Sequence, residues 1–199
     1  MNRRQLFDYS AMSLLWGSSF LVMVKVIAAF GWIGAVTFRA FIASAALFVL
    51  AKALGRNLNF QVGWRHFAAL GSTTVALQLI GLAFSVPRIG TAMAAIFVAT
   101  IPLFSMVIGQ LWGVEHMTPL GRVGLGLGFL GMVLLVGFPT VAFSLDFVLG
   151  CLASIIGATA AAVGSNYARK YLQDIDSWTQ TIGAFLCGGL LTLPLLFFV

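Results

Sequence analysis

Seven apolar runs follow one another along this chain, at residues 9–24, 32–54, 67–86, 89–113, 119–137, 147–168 and 177–199. A hydrocarbon core of ~30 Å asks for about 20 residues of helix at 1.5 Å rise per residue, and the runs lie near that length. Lipid offers no partner to a bare peptide group, so a spanning chain must be helical or form a closed barrel. A barrel would show short strands of alternating polarity, and no such alternation is present. The expected fold class is therefore an all-α polytopic membrane protein with about seven transmembrane helices. Only 8% of the residues are charged and 61% are hydrophobic, against about 25% charged in a soluble domain.

The net charge of +6 does not imply a nucleic-acid partner, because the basic residues fall in short gaps between apolar runs. If the helices alternate, Arg3, Arg4, Lys52, Arg56, Arg65, Arg122, Arg169 and Lys170 lie on one side and Arg88 on the other. The positive-inside bias then places the N-terminus in the cytoplasm. Asn2-Arg3-Arg4 before the first run also fits a signal peptide with cleavage near Ala28-Ala29, but that run is interrupted by glycine and serine and further membrane segments follow, so a retained first helix is expected. Cys151 and Cys187 lie inside apolar runs without metal-ligand spacing and read as packing residues. No metal and no cofactor is expected. All five carboxylates, Asp8, Glu115, Asp146, Asp174 and Asp176, stand at run edges, so the runs themselves offer no carboxylate for a proton relay.

Residues 88–137 read as a tightly packed helical hairpin. Ala92, Ala95, Ala99, Pro102, Met106 and Gly109 share one face of the fourth run, after a tight turn at Pro87-Arg88. Pro102 is expected to remove a hydrogen bond there, as a hinge or a fixed kink. The connection runs from Val114 through Met117 to Pro119, and Glu115 is expected to fix it, either as an interfacial carboxylate or at the positive end of the next helix. Gly121, Gly124, Gly128 and Gly131 share one face of the fifth run. Small residues let helices approach closely in lipid, so this stripe is expected to be an interface. The third run carries Gly71, Thr74, Gln78, Gly81 and Ser85 on one face, which is expected to seek protein or water.

Gly17-Ser18-Ser19-Phe20 in the first run has a counterpart in Gly164-Ser165-Asn166-Tyr167 of the sixth. The same offset sets Phe38 against Phe185. A repeat of five spans is odd, so its second copy would insert upside down, as in many secondary transporters.

These residues bring the chain to a family. It resembles the EamA-like branch of the drug/metabolite transporter superfamily through an ordered set of features. They are Trp16-Gly17, Arg39 before a small and leucine-rich run, Gly90-Thr91-Ala92, Thr100-Ile101-Pro102-Leu103, Glu115 followed by Gly121, and Gly131-Met132-Val133-Leu134-Leu135. The resemblance implies a ten-helix bundle of two five-helix repeats with both termini cytoplasmic, in a bacterial inner membrane. Residues 1–140 would be the first repeat and 141–199 the first two helices of an inverted second one, with the chain truncated inside it.

The expected function is a permease or exporter of small organic metabolites, such as amino acids, working by alternating access. An intramembrane enzyme is the alternative, but no Gly-x-Ser-x-Gly, His-Glu-x-x-His or buried aspartate pair is present, and His66 and His116 stand at loop edges. A membrane module that only packs against partners is a third reading. The candidate substrate cavity comprises Trp16, Ser19, Arg39, Gln78, Phe97, Thr100, Asn166 and Tyr167. Each has a plainer role open to it: packing for the aromatics, interhelical hydrogen bonds for Gln78 and Asn166, and snorkelling or packing for Arg39. The expected partners are the lipid bilayer, a small-molecule substrate and a second copy in a homodimer.

Overall fold

The computed structural model describes residues 3–61, 63–116, 118–137 and 144–198. Met117 and residues 138–143, part of the connections expected around the fifth run, lie outside them. In order the chain forms α1 (Arg3–Ala53), α2 (Trp64–Leu70), a π-helical segment (Gly71–Leu77), α3 (Gln78–Ala99), α4 (Ile101–Leu111), α5 (Pro119–Gly137), α6 (Leu145–Tyr171) and α7 (Ser177–Thr192), which ends in a 3-10 turn (Leu193–Phe198). No strand occurs among the described residues.

Residues 5–53 and 64–111 each form a helical stretch far longer than one bilayer crossing. Each folds back on itself at a glycine: Gly31 (φ 70°, ψ 171°) in α1 and Gly90 (φ 79°, ψ 159°) in α3. Only glycine adopts such a backbone readily. The reversal in α1 is visible in its contacts. The Phe30 and Phe38 rings meet at 5.3 Å, and Leu15 and Ala46 line one cavity. In the second stretch Gln78 and Leu82 face Phe97 and Ile101 across a shared gap. Split at the two glycines, the two stretches give four apolar helical segments, and with α5, α6 and α7 the described residues hold the seven expected.

The second turn is displaced from its expected place. Pro87 and Arg88 lie inside α3, and the chain reverses at Gly90. Arg88 holds the last turn before it: Nη1 donates to the Phe84 carbonyl at 2.8 Å, and the guanidinium stacks 3.5 Å from the Phe84 ring centroid. Proline lacks one N–H but does not force a reversal, whereas a positive φ does.

The core lies where α3 and the π segment meet α6 and α7. Gly150, Gly157 and Gly164 of α6 stand seven residues apart and run antiparallel to α3. A methyl group at Gly150 would meet Ile89 at 2.7 Å, one at Gly157 would meet the Gln78 carbonyl at 3.1 Å, and one at Gly164 would run into Thr74. From the other side, a methyl at Gly81 would meet the Ala153 carbonyl oxygen at 2.5 Å. The helix backbones are therefore in direct contact, which is how small residues associate helices in lipid. α7 is seated in the same way, with Gly188 against Val75 and Gly183 against Phe67. Two buried hydroxyls bind α7 to the second limb of α1: Thr37 Oγ1 donates to Thr192 Oγ1 at 2.9 Å, and Ser44 Oγ to the Ile182 carbonyl at 3.1 Å.

The stripe on α5 departs from expectation. Gly128 lies against Leu103 of α4, but among the described residues nothing stands within 4 Å of where a side chain would begin at Gly124 or Gly131. α5 is otherwise held by an edge-to-face contact between Phe104 and Phe129, with centroids 5.5 Å apart. The face expected to be one interface is thus engaged at Gly128 and open at Gly124 and Gly131. Pro102 also takes a different part from a proline inside a helix. It stands in the first turn of α4, after a break at Thr100, where its missing N–H has no helical partner to lose.

Two ends of the bundle follow from the contacts. Asn59 N–H donates to Thr179 Oγ1, Tyr167 pairs with His66, and Arg169 with Glu115. These bonds gather the connections after α1, α4 and α6 at one end, called here the basic end. Gly31, Gly90 and Asp146 lie at the other, the turn end, where Trp32 meets Phe84 and Arg88 lies 3.7 Å from Asp146.

Candidate functional site

A concavity with a charged residue on its wall lies between the two limbs of α1. It holds about 720 Å³, within the usual range for small-molecule sites. Ser18, Ser19 and Arg39 supply its polar groups, and Met23, Phe30 and Phe38 are among its apolar walls. The first limb of α1 places Ser18 and Ser19 by helical spacing, and both hydroxyls donate to its own backbone, to the Leu15 and Trp16 carbonyls at 3.0 and 2.7 Å. Arg39 projects from the second limb, on a different face from Thr37 and Ser44, which pack on α7. It makes no hydrogen bond or ion pair among the described residues. A guanidinium inside an apolar run without a carboxylate partner is costly in lipid.

The structure divides the other expected site residues. Trp16 is 52% exposed and does not line this cavity. Gln78 and Phe97 share a gap of about 10 Å³ with Ser154, room for about one water. Thr100 is buried at the helix break, donating to the Phe97 carbonyl at 2.6 Å. Asn166 and Tyr167 belong to the basic end. Of the eight residues expected in one cavity, Ser19 and Arg39 line it together; Ser18, Phe30 and Phe38 were not expected there. Phe38 stands one residue from Arg39, and Phe30 stands 11 residues, about three helical turns, from Ser19; that spacing is the signal that would have found them once the two runs were read as a hairpin.

A family model describes what this hairpin belongs to. The EamA-like transporter family matches residues 9–137, from the first limb of α1 to the end of α5. The chain belongs to the EamA-like transporter family. No curated protein and no solved structure matches it. Members of this family are transporters, not enzymes, so the cavity belongs to a membrane transporter.

In this EamA-like transporter a second set of polar groups occupies the basic end. A cavity of about 210 Å³ between the π segment, α6 and α7 is lined by Thr74, Ser165, Gln180 and Thr181, with Leu70 and Phe185. The hydroxyls of Ser72, Thr73 and Thr74 bend back onto Ala69 and Leu70 carbonyls at 3.0, 2.7 and 2.7 Å. Such bonds compete with the α ladder, and π segments recur at functional sites. An adjoining opening of about 480 Å³, lined by Val114, Ala168, Arg169, Gln173 and Gln180, shares Ala168 and Gln180 with it.

Glu115 meets a partner on α6. Arg169 Nη1 lies 3.2 Å from its Oε2, and Lys170 donates to the Trp112 carbonyl at 3.3 Å. The start of α5 is capped instead by Thr118, whose Oγ1 accepts from Gly121 N–H at 3.1 Å, the usual N-cap arrangement. The Tyr167 hydroxyl and His66 Nδ1 are 2.9 Å apart.

Proposed function

We propose that this transporter carries a small organic solute bearing a carboxylate, with Arg39 as the anchoring charge. One observation carries the reading: Arg39 lines the 720 Å³ cavity without a protein partner among the described residues. The cavity walls are otherwise mainly apolar, which suits a solute with an anionic head and a hydrophobic or aromatic body. Amino acids and related metabolites have that form. The direction is export across a bacterial inner membrane, with the basic end in the cytoplasm, as the bias of Lys and Arg favours. Residues 141–199 belong to a second, inverted repeat, and alternating access arises from rocking of the repeats about the cavity.

Arg39→Gln is expected to abolish uptake of the solute into inside-out vesicles while leaving expression and membrane insertion at the parent level. A cysteine at position 39, with Cys151 and Cys187 replaced, should react with an impermeant thiol reagent added from the outside. Full transport by the glutamine variant together with an unreactive cysteine would return Arg39 to a packing or snorkelling role.

A further inference from the structure

Asn166 is fully buried and only half satisfied. Its Nδ2 donates to the Ser105 carbonyl at 3.0 Å, to Ser105 Oγ at 2.9 Å and to the Ala162 carbonyl at 2.9 Å. Two of these partners are carbonyls, which only accept, so the amide cannot be turned round. Oδ1 is left with no donor. An orphaned buried acceptor is unfavourable, and its surroundings show what would relieve it. A methyl group on Gly109 would lie 2.8 Å from Asn166 Oδ1 and 3.3 Å from Glu115 Oε2. Both acceptors therefore face the space that Gly109 leaves empty, and no proton lies between them while Glu115 is ionised. Oε2 is also the oxygen paired with Arg169, and Arg169 lines the 480 Å³ opening with Gln173 and Gln180.

We propose that Glu115 is a proton site with two positions, and that its occupancy controls an anion site at Arg169. Ionised, the carboxylate sits on Arg169 and blocks it. On taking a proton from the adjoining water, it loses its charge attraction to Arg169 and gains an O–H, which it donates to Asn166 Oδ1. No other covalent bond changes. Arg169 is then free to receive a small carboxylate in the opening beside it, so that one proton and one anion are bound together. Gly109 is needed because any side chain there would fill the gap. The other charged or titratable groups near the pair have their own arrangements. Lys170 is held by Trp112, Tyr167 pairs with His66, and His116 is exposed next to Glu115. The proposal rests on the carrier reading only for its purpose, which would be coupling, and its chemistry is tested without transport.

Infrared difference spectra of the purified protein, titrated from about pH 8 to about pH 4 across the carboxyl range, should show a carboxylic-acid C=O band that is missing in Glu115→Gln. The band should move to higher frequency in Asn166→Leu and in Gly109→Ala, which respectively remove the acceptor and fill the gap. Propionate serves as the anion probe, with affinity reckoned on the concentration of the ionised form at each pH, and is followed by intrinsic tryptophan fluorescence. The parent protein should bind it about tenfold more tightly at the acid end, a difference of about 1.4 kcal/mol. Glu115→Gln, whose amide donates as the protonated acid does, should bind tightly at both ends, and Arg169→Gln weakly at both. A band that survives Glu115→Gln, or that both gap variants leave unmoved, would overturn the proton site. Propionate binding indifferent to pH or to Arg169 would overturn the anion site. If these results hold and no solute moves in proteoliposomes, the carrier reading fails and this one stands.

Discussion

α5 and α6 carry glycines at helical spacing, and the structure uses them in opposite ways. On α6, Gly150, Gly157 and Gly164 are buried against the backbone and side chains of α3 and the π segment. On α5, Gly124 and Gly131 face open space among the described residues, while Gly128 meets the flexible end of Leu103. Spacing shows which residues share a face; it does not say whether another helix lies on that face. The stripe on α6 is diluted by larger residues and draws less notice in the sequence, yet it lies along a direct backbone contact between two helices. What separates the two is the partner. α3 offers Gly81 and its own carbonyls at the crossing, so both backbones can touch, whereas α4 offers a leucine.

Substitutions break or sharpen that contrast. The largest effect is expected from Gly157→Leu, which drives a side chain into the Gln78 carbonyl and backbone, groups that cannot rotate away. The loss should reach at least about 3 kcal/mol, seen as failure to recover monodisperse protein in mild detergent. If Gly157→Leu survives, the α3–α6 contact is not the centre of the fold. Next comes Gly90→Ala, where there is open space but a φ of 79°. Strain of about 1–3 kcal/mol is expected, read as a lowered midpoint of unfolding in SDS, and it isolates a glycine kept for its backbone from one kept for its lack of volume. Gly128→Leu should cost about 1–2 kcal/mol, since the Leu103 side chain can shift, and Gly124→Leu less than about 0.5 kcal/mol. Equal losses at 124 and 128 in the same SDS assay would restore the whole α5 stripe as an interface.

Much of the architecture was legible in the sequence because membrane thickness dictates run length and peptide chemistry dictates helix. The runs at 119–137 and 177–199 begin where α5 and α7 do. The second reversal was misplaced because Pro87 is the more conspicuous residue, while the decisive one, Gly90, owes its role to a backbone angle that no local pattern reveals. The site was legible in part. Arg39 stands out as a charge within an apolar run, and Ser19 follows from its serine pair. Phe97 and Thr100 were drawn into the same cavity by residue type, although the break before α4 buries both. Glu115 could be assigned to fixing a connection, but its partner Arg169 lies across another helix. The orphaned oxygen of Asn166 is a property of three-dimensional packing alone.

The two glycine reversals have a consequence for biogenesis. Where a single residue joins two spans, at Gly31 and again at Gly90, the bilayer has almost no hydrophilic cargo to pass. Spans one and two, and likewise three and four, can enter lipid as prefolded pairs, each satisfying its own peptide groups on arrival. These two connections amount to little more than two bends of backbone. They offer scant foothold to a protease or an antibody.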